Sequence, residues 1–240
     1  MKKAVITGGN GFVGKRLTDE LLKKGYTVKI FSRSAPKAYA DNPAVEIVKV
    51  DYNDIENLKK ELEGADSVFH LAAAIFAFNR EEFWQANVTV TQNLVEAVRY
   101  AGCIKSFVYL SSQAAAGPSE YKNNPRTESD VPAPVSDYGI TKLKAEESLL
   151  ALPDEVHRTV LRAPVVYGRN DSGVSKIASW VKRGIMVNTS SGEAFFNFVY
   201  VEDLVKALYT ASVTPQTDRQ TFFVGEVQSY SWKYFINTME

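Results

Sequence analysis

Apolar residues follow two rhythms along this 240-residue chain. Short strand-like runs occur at 4–6, 27–31, 45–50, 67–71, 107–110 and 159–161, and the first of them has the pattern of a strand buried on both faces. Between them, apolar residues return at helical spacing. Phe12, Val13, Leu17, Leu21 and Leu22 make the first such set, and segments 57–62, 82–100 and 142–152 follow. Strand alternating with helix predicts an α/β fold, a doubly wound parallel sheet covered on both faces, with its ligand at the carboxyl ends of the strands. Past Pro164 the rhythm breaks. Segment 168–195 is rich in Gly, Ser and Asn, with a helix candidate at 174–183. Then 195–201 reads as strand, 202–211 as helix, 221–224 as a short strand and 232–236 as a last apolar helix. This divides the chain into a sheet domain, 1–164 plus 196–212, and a small lobe, 165–195 plus 213–240, that reads as cut short.

Glycines 8, 9, 11 and 14 follow the first run directly and open the first helix. Glycine lets the backbone turn sharply and approach a pyrophosphate, and the helix behind it offers unpaired N–H groups and a positive dipole end. Between a strand and a helix, this spacing predicts a dinucleotide cradle. A second irregular stretch, 114–135, holds four of the nine prolines and suits a binding loop or a plain surface excursion alike.

Charge and cysteine content narrow the possible partners. Lys+Arg and Asp+Glu both number 28, so no net field favours nucleic acid or an anionic membrane. No apolar run reaches the roughly 20 residues of a membrane span. Only Ala4, Val5 and Ile6 separate Met1-Lys2-Lys3 from Thr7-Gly8-Gly9, too few for the apolar region of a signal peptide. The single cysteine, Cys103, allows no internal disulfide and suits a reducing compartment. A cytoplasmic protein is expected. Of the two histidines, His70 ends a strand run and reads as structural, and His157 precedes a strand and reads as surface. No metal site is expected.

Tyr138 and Lys142 stand four residues apart in Tyr138-Gly139-Ile140-Thr141-Lys142. A helix starting here would put both on one face, one turn apart. An ammonium near a phenol favours the phenolate, so the tyrosine could exchange a proton with a substrate oxygen near neutral pH.

Together these segments resemble the extended short-chain dehydrogenase/reductase family, the NAD-dependent epimerase/dehydratase group, over nearly the whole chain. Thr7-Gly8-Gly9-Asn10-Gly11-Phe12-Val13-Gly14 is similar to its TGxxGxxG loop, and Phe69-His70-Leu71-Ala72-Ala73 to its FHLAA stretch. Asn87-Val88 and Asn93-Leu94 resemble its NVxGTxNL helix, with Val90 in place of the glycine. Tyr109-Leu110-Ser111-Ser112, Leu161-Arg162-Ala163-Pro164-Val165-Val166-Tyr167-Gly168 and Phe198-Val199-Tyr200-Val201-Glu202-Asp203 match its strand end, LRPxxVYG and FVxVxD motifs. The resemblance implies a Rossmann-type sheet with a small substrate lobe. It also implies that Ser112 bonds the substrate oxygen and that Tyr138 is the acid/base. Lys142 would lower the tyrosine's pKa and hold the ribose, and Asn87 would support a proton relay through water. Ser111 is the fallback for Ser112. The implied cofactor contacts are Gly8, Gly11, Phe12, Val13, Gly14, Ser32, Arg33, Lys37, Asp51, Tyr52, Leu71, Ala72, Ala73, Tyr138, Lys142 and Pro164. Family members pair through the 82–100 helix and the one bearing Tyr138. Phe83, Trp84, Val88, Val95 and Val98 on the first helix therefore predict a homodimer, unless they fill the chain's own core.

An acid after the second strand would bond the ribose 2′-OH of NAD. Here the strand ends in Ser32-Arg33 with Lys37 close behind, which favours NADP(H) because a guanidinium matches a 2′-phosphate. NAD stays open. Gln113-Ala114 after Ser112 lacks the Asp-Glu pair of family dehydratases, and Ala116-Gly117 lacks the tyrosine common in sugar-nucleotide epimerases. The stretch from Ser111 to Ser119 looks more like bacterial relatives of hydroxysteroid and dihydroflavonol reductases. Reversible reduction of a carbonyl to an alcohol on a small molecule is expected. A nucleotide-sugar epimerase, which would use cations such as Arg162, Arg169, Lys176 and Arg183, is the alternative. A non-catalytic NADP-binding regulatory protein is a further one.

Overall fold

The apolar runs assemble as strands of one parallel sheet. The computed structural model describes residues 2–33, 39, 41–119, 125–171, 173, 179, 183 and 195–239. Its strands are β1 (Lys3–Thr7), β2 (Thr27–Ser32), β3 (Val45–Lys49), β4 (Ser67–His70), β5 (Ser106–Ser112), β6 (His157–Ala163), β7 (Val165–Tyr167), β8 (Phe195–Phe196), β9 (Phe198–Tyr200), β10 (Gln220–Phe223) and β11 (Tyr230–Ser231). Seven of them form a sheet in the order β10-β6-β5-β4-β1-β2-β3, and every pairing in it is parallel. This is the doubly wound, Rossmann-like arrangement. The strand order reverses at β1 and β4, where Thr7 lies beside His70 at the carboxyl edge, so the crevice for a ligand opens there.

Each face of the sheet carries its own core. Leu58 and Leu62 from helix Ile55–Leu62, Leu94, Val95 and Val98 from helix Val90–Ala101, and Ala145 from helix Asp137–Ser148 pack on one side. Leu17 and Leu21 from helix Phe12–Lys23 and Leu204, Val205 and Leu208 from helix Val201–Val213 pack on the other. Local chemistry sets several helix ends. The Asp54 and Ser136 side chains accept from Asn57 N and Gly139 N and cap two starts, and Gly102 closes helix Val90–Ala101 in the left-handed conformation. Among the described residues no helix is long and apolar enough to cross a membrane.

Three expectations are corrected. The stretch read as one strand at 195–201 is two: β8 pairs with β11, β9 pairs with β7, and Val201 already begins a helix. Residues 220–223, placed in the small lobe from sequence, are the edge strand of the main sheet beside β6. A four-residue run carries too little periodicity to reveal its partner, which long-range pairing chooses. The helix bearing Tyr138 starts at Asp137 rather than at 142 because Ser136 caps it. Most of the helix expected at 174–183 lies outside the described residues.

Candidate active site

The glycine loop forms a tight cradle. Gly8 takes a positive φ of 71°, and Gly11 N donates to Gly8 O at 2.9 Å. A Cβ on Gly14 would stand 2.2 Å from Gly8 O, and one on Gly8 would stand 2.9 Å from Ala72 N, so the loop packs backbone on backbone. Thr7 Oγ1 accepts from both Leu71 N and Ala72 N at 3.1 Å, tying this loop to the one after β4. Helix Phe12–Lys23 begins at Gly11 with no side-chain cap and no acid in its first turn, so its leading N–H groups suit an anion. Phe12 and Val13, partly buried, continue this turn. The cradle therefore fits a dinucleotide pyrophosphate. At the end of β2, Ser32 Oγ accepts from Asn10 Nδ2 at 2.7 Å and Arg33 is exposed. Lys37 lies outside the described residues. Asp51 is exposed past β3, accepting from Asn53 N. Tyr52 is buried in the core with Phe31 and Val50.

Helix Asp137–Ser148 lays Tyr138, Lys142 and Glu146 along one face, over the last three residues of β5. Ser112 and Tyr138 line the same cleft, and Ser112 lies close enough to favour the ionised phenol. The Ser112 hydroxyl also accepts from Ala114 N at 3.2 Å, capping the short turn Gln113–Ala116. Leu110 O accepts from Lys142 Nζ at 2.8 Å, and the ammonium lies 4.1 Å from the centre of the Tyr109 ring. Ser111 points elsewhere and donates to Glu146 Oε1, which removes it as a stand-in for Ser112. The pKa directions differ from the sequence expectation. Burial pushes the Tyr138 phenol up, with only the neighbouring Ser112 opposing. Burial pulls Lys142 down to about 7, with Glu146 opposing. Lys142 is 1% exposed and engaged by a carbonyl and a ring, so here desolvation outweighs any stabilisation of a phenolate.

Asn87 sits in a π-helical turn, Trp84–Thr89, inside the long helix, a distortion that sequence periodicity does not show. Its Oδ1 accepts from Ala74 N at 2.8 Å, and its Nδ2 donates to Ala74 O and Thr141 Oγ1, both at 3.1 Å. Both amide N–H groups are committed, so the side chain fixes the loop after β4 to the Tyr138 helix rather than offering a donor to water. His70 is fully buried between Thr7 Oγ1 at 2.6 Å and Thr91 Oγ1 at 2.8 Å, and Thr91 donates on to Asn87 O. This chain assigns the proton to His70 Nε2, because the Thr91 proton is already given to Asn87 O. His157 is half-buried, bridging Thr159 and Thr217 at 3.0 Å.

A cleft of about 1190 Å³ opens beside Ser112 and Tyr138, lined also by Ala114, Pro164, Phe195, Phe196, Phe223 and Glu226. Glu226 accepts from Tyr167 Oη at 3.1 Å and Tyr230 Oη at 2.9 Å. Arg162 does not face this cleft as a cation for a diphosphate, because Glu146 holds it within the fold. Arg169 and Arg183 are exposed, and Lys176 lies outside the described residues. Of the apolar residues expected at a dimer face, Val88, Val95 and Val98 are buried in the chain's own core, leaving Phe83 and Trp84 partly exposed. Phe83 packs against Tyr138 with ring centres 6.1 Å apart. Among the described residues no group of three or more His, Cys, Asp or Glu could hold a metal ion.

Cradle, sheet order and the Tyr138–Lys142 helix agree with a match to the model of the NAD dependent epimerase/dehydratase family over residues 4–225. The chain belongs to this family. One similar member is an uncharacterized protein of Sinorhizobium fredii, 34% identical over 88% of this chain and 54% of that protein. Another is sterol-4-alpha-carboxylate 3-dehydrogenase, decarboxylating, of Mus musculus, 28% identical over 85% of this chain and 57% of that enzyme. The chain spans about half the length of these curated relatives. Among solved structures it is similar to the UDP-glucose 4-epimerase of Thermotoga maritima with UDP-glucose. That likeness has a TM-score of 0.86 and 27% identity, covering 99% of this chain and 81% of that one. Within the family frame, the sequence reading passed over Glu146. Its position four residues after Lys142 was the available signal, and its partner Arg162, expected as a cation for a nucleotide-sugar, is bound to it instead.

Proposed function

We propose that this family member interconverts a carbonyl and an alcohol on a small molecule, using NADP(H) in preference to NAD(H). The observation that supports it most is that Ser112 and Tyr138 line one cleft side by side, with Lys142 a turn behind on the same helix. Ser112 would orient the substrate oxygen. Tyr138 would give that oxygen a proton during reduction and take it back during oxidation. Lys142 would hold the ribose and, when charged, ease the loss of the phenol proton. With a dinucleotide's pyrophosphate held in the cradle, its nicotinamide would supply or accept the hydride. Asn87 would keep the loop after β4 and the Tyr138 helix in register. Arg33 supports the NADP(H) preference, since β2 ends without an acid.

The cleft mixes Ala and Phe with Gln113, Arg126, Asn197 and Glu226, and the inward pairing of Arg162 removes one of the cations a diphosphate would use. The likeness to a UDP-glucose 4-epimerase keeps sugar-nucleotide epimerisation as the second reading. We test both by following NADPH oxidation with a panel of ketones and aldehydes, and epimer formation from UDP-glucose. Tyr138→Phe should lower turnover by about 100- to 10,000-fold while leaving NADPH affinity nearly intact. Lys142→Met should damage both, and Ser112→Ala mainly turnover. Near-native turnover by Tyr138→Phe would refute the site and leave the non-catalytic binding reading. Partly exposed Phe83 and Trp84 support pairing of two copies through the long helix, and sedimentation at micromolar concentration should show a dimer. A monomer throughout would remove that part.

A further inference from the structure

Behind Tyr138 and Lys142 lies a buried charge cluster that the proposed chemistry does not use. Glu146 follows Lys142 by one turn on the same helix face. Its side chain is 8% exposed and that of Arg162 is 5% exposed. Arg162 Nε donates to Glu146 Oε1 at 3.0 Å and Nη2 to Oε2 at 2.7 Å, a two-pronged clamp. Ser111, beside Arg162 in the β5–β6 register, donates to Glu146 Oε1 as well. Three consecutive residues of β5 thus face three successive turns of one helix. Leu110 holds Lys142, Ser111 holds Glu146, and Ser112 lies beside Tyr138.

An ammonium and a carboxylate one helical turn apart and both buried attract each other strongly. Here that carboxylate is taken by a guanidinium on a different element. We propose that Glu146 and Arg162 are positioning residues for Lys142: by clamping both oxygens of Glu146, Arg162 keeps the carboxylate from pairing with the lysine and leaves the ammonium free to turn toward the phenol and ribose.

The importance of Lys142 rests on the function proposed above, but the clamp can be tested without any substrate. The groups facing Lys142 are Tyr138 and Glu146 on its own helix, Tyr109 and the Leu110 carbonyl on β5, His70 on β4, and Arg162 beyond Glu146 on β6. Burial already brings Lys142 down to about 7, inside an accessible pH range. Removing the guanidinium frees a negative charge toward the lysine, and removing the carboxylate does the reverse.

The test is NMR titration of protein labelled at lysine Cε, with the Lys142 signal assigned by its loss in Lys142→Met, alongside NADPH titration by tryptophan fluorescence. Arg162→Met should raise the Lys142 midpoint, and Glu146→Gln should lower it, each by about one pH unit or more. Arg162→Met should also weaken NADPH binding by about tenfold, and Arg162→Met/Glu146→Met should restore most of it. A merely structural tie would loosen the fold in every variant without moving the midpoint in opposite directions. Should Arg162→Met fail to fold, Arg162→Lys, which keeps one charge but loses the clamp, replaces it with the same expected direction. Midpoints that stay put or move together overturn the proposal. They leave the proposed function standing, because Tyr138→Phe decides that separately.

Discussion

Arg33 is an exposed guanidinium at the end of β2, directly after a serine whose hydroxyl is already bound by Asn10. An acid at this strand end would accept from a ribose 2′-OH and repel a 2′-phosphate. A guanidinium does the opposite, because it offers parallel donors to phosphate oxygens. Calorimetry should therefore find NADPH bound more tightly than NADH, and Arg33→Asp should reverse the order. Equal affinities in the native chain would end the argument from Arg33. Lys142 makes a related point about single residues. Its charge follows less from its type than from what surrounds it, since burial, with Glu146 opposing, brings it to about 7. Tyr138, in the same site, moves up for the same reason.

At the scale of elements, the loop between β1 and helix Phe12–Lys23 depends on one close approach. Gly14 lies in the first turn of that helix, and a side chain there would meet Gly8 O at 2.2 Å and Gly9 Cα at 2.6 Å. Neither neighbour is a flexible side-chain end, so the helix itself would have to move off the turn. Overpacking of this kind typically costs about 1–3 kcal/mol. Gly14→Ala should lower the melting temperature and weaken NADPH binding together, because the same shift displaces the N–H groups meant for the phosphates. Thermal melts with and without NADPH would show this, and an unchanged NADPH-induced rise in Tm would contradict it. The π-helical turn at Trp84–Thr89 is a second element-scale device. It buries Asn87 where its amide can reach both Ala74 and Thr141.

Across the whole molecule, His70 joins the two halves of the sheet at the strand-order reversal. It bonds Thr7 on β1 and Thr91 on the long helix, and its ring stacks on Tyr109 of β5. Burial lowers its pKa to about 3, with the Lys142 charge adding to this. The unfolded chain takes up this proton as pH falls through about 6.5, whereas the fold refuses it until about 3. Stability should thus be lost with acid across that window, while above it His70 adds no pH dependence. His70→Gln should be less stable near neutrality but show a flatter decline between about pH 6.5 and pH 4 in urea unfolding. An equally steep decline in the variant would show that other groups carry the acid sensitivity. The sequence alone determined the inner strands of the central sheet, such as β1 and β4, because strands buried on both faces are rich in apolar residues. It also determined the cradle, since only glycine fits where a Cβ on residue 14 would meet Gly8 O, and the shared face of Tyr138 and Lys142, which follows from helical spacing. Tertiary structure alone decided that residues 220–223 join the main sheet and that Asn87 spends its amide on Ala74 and Thr141. It likewise turned Arg162 inward onto Glu146 and set the directions in which Tyr138, Lys142 and His70 titrate. Those outcomes depend on desolvation and on partners far away in sequence, and local spacing carries no information about either.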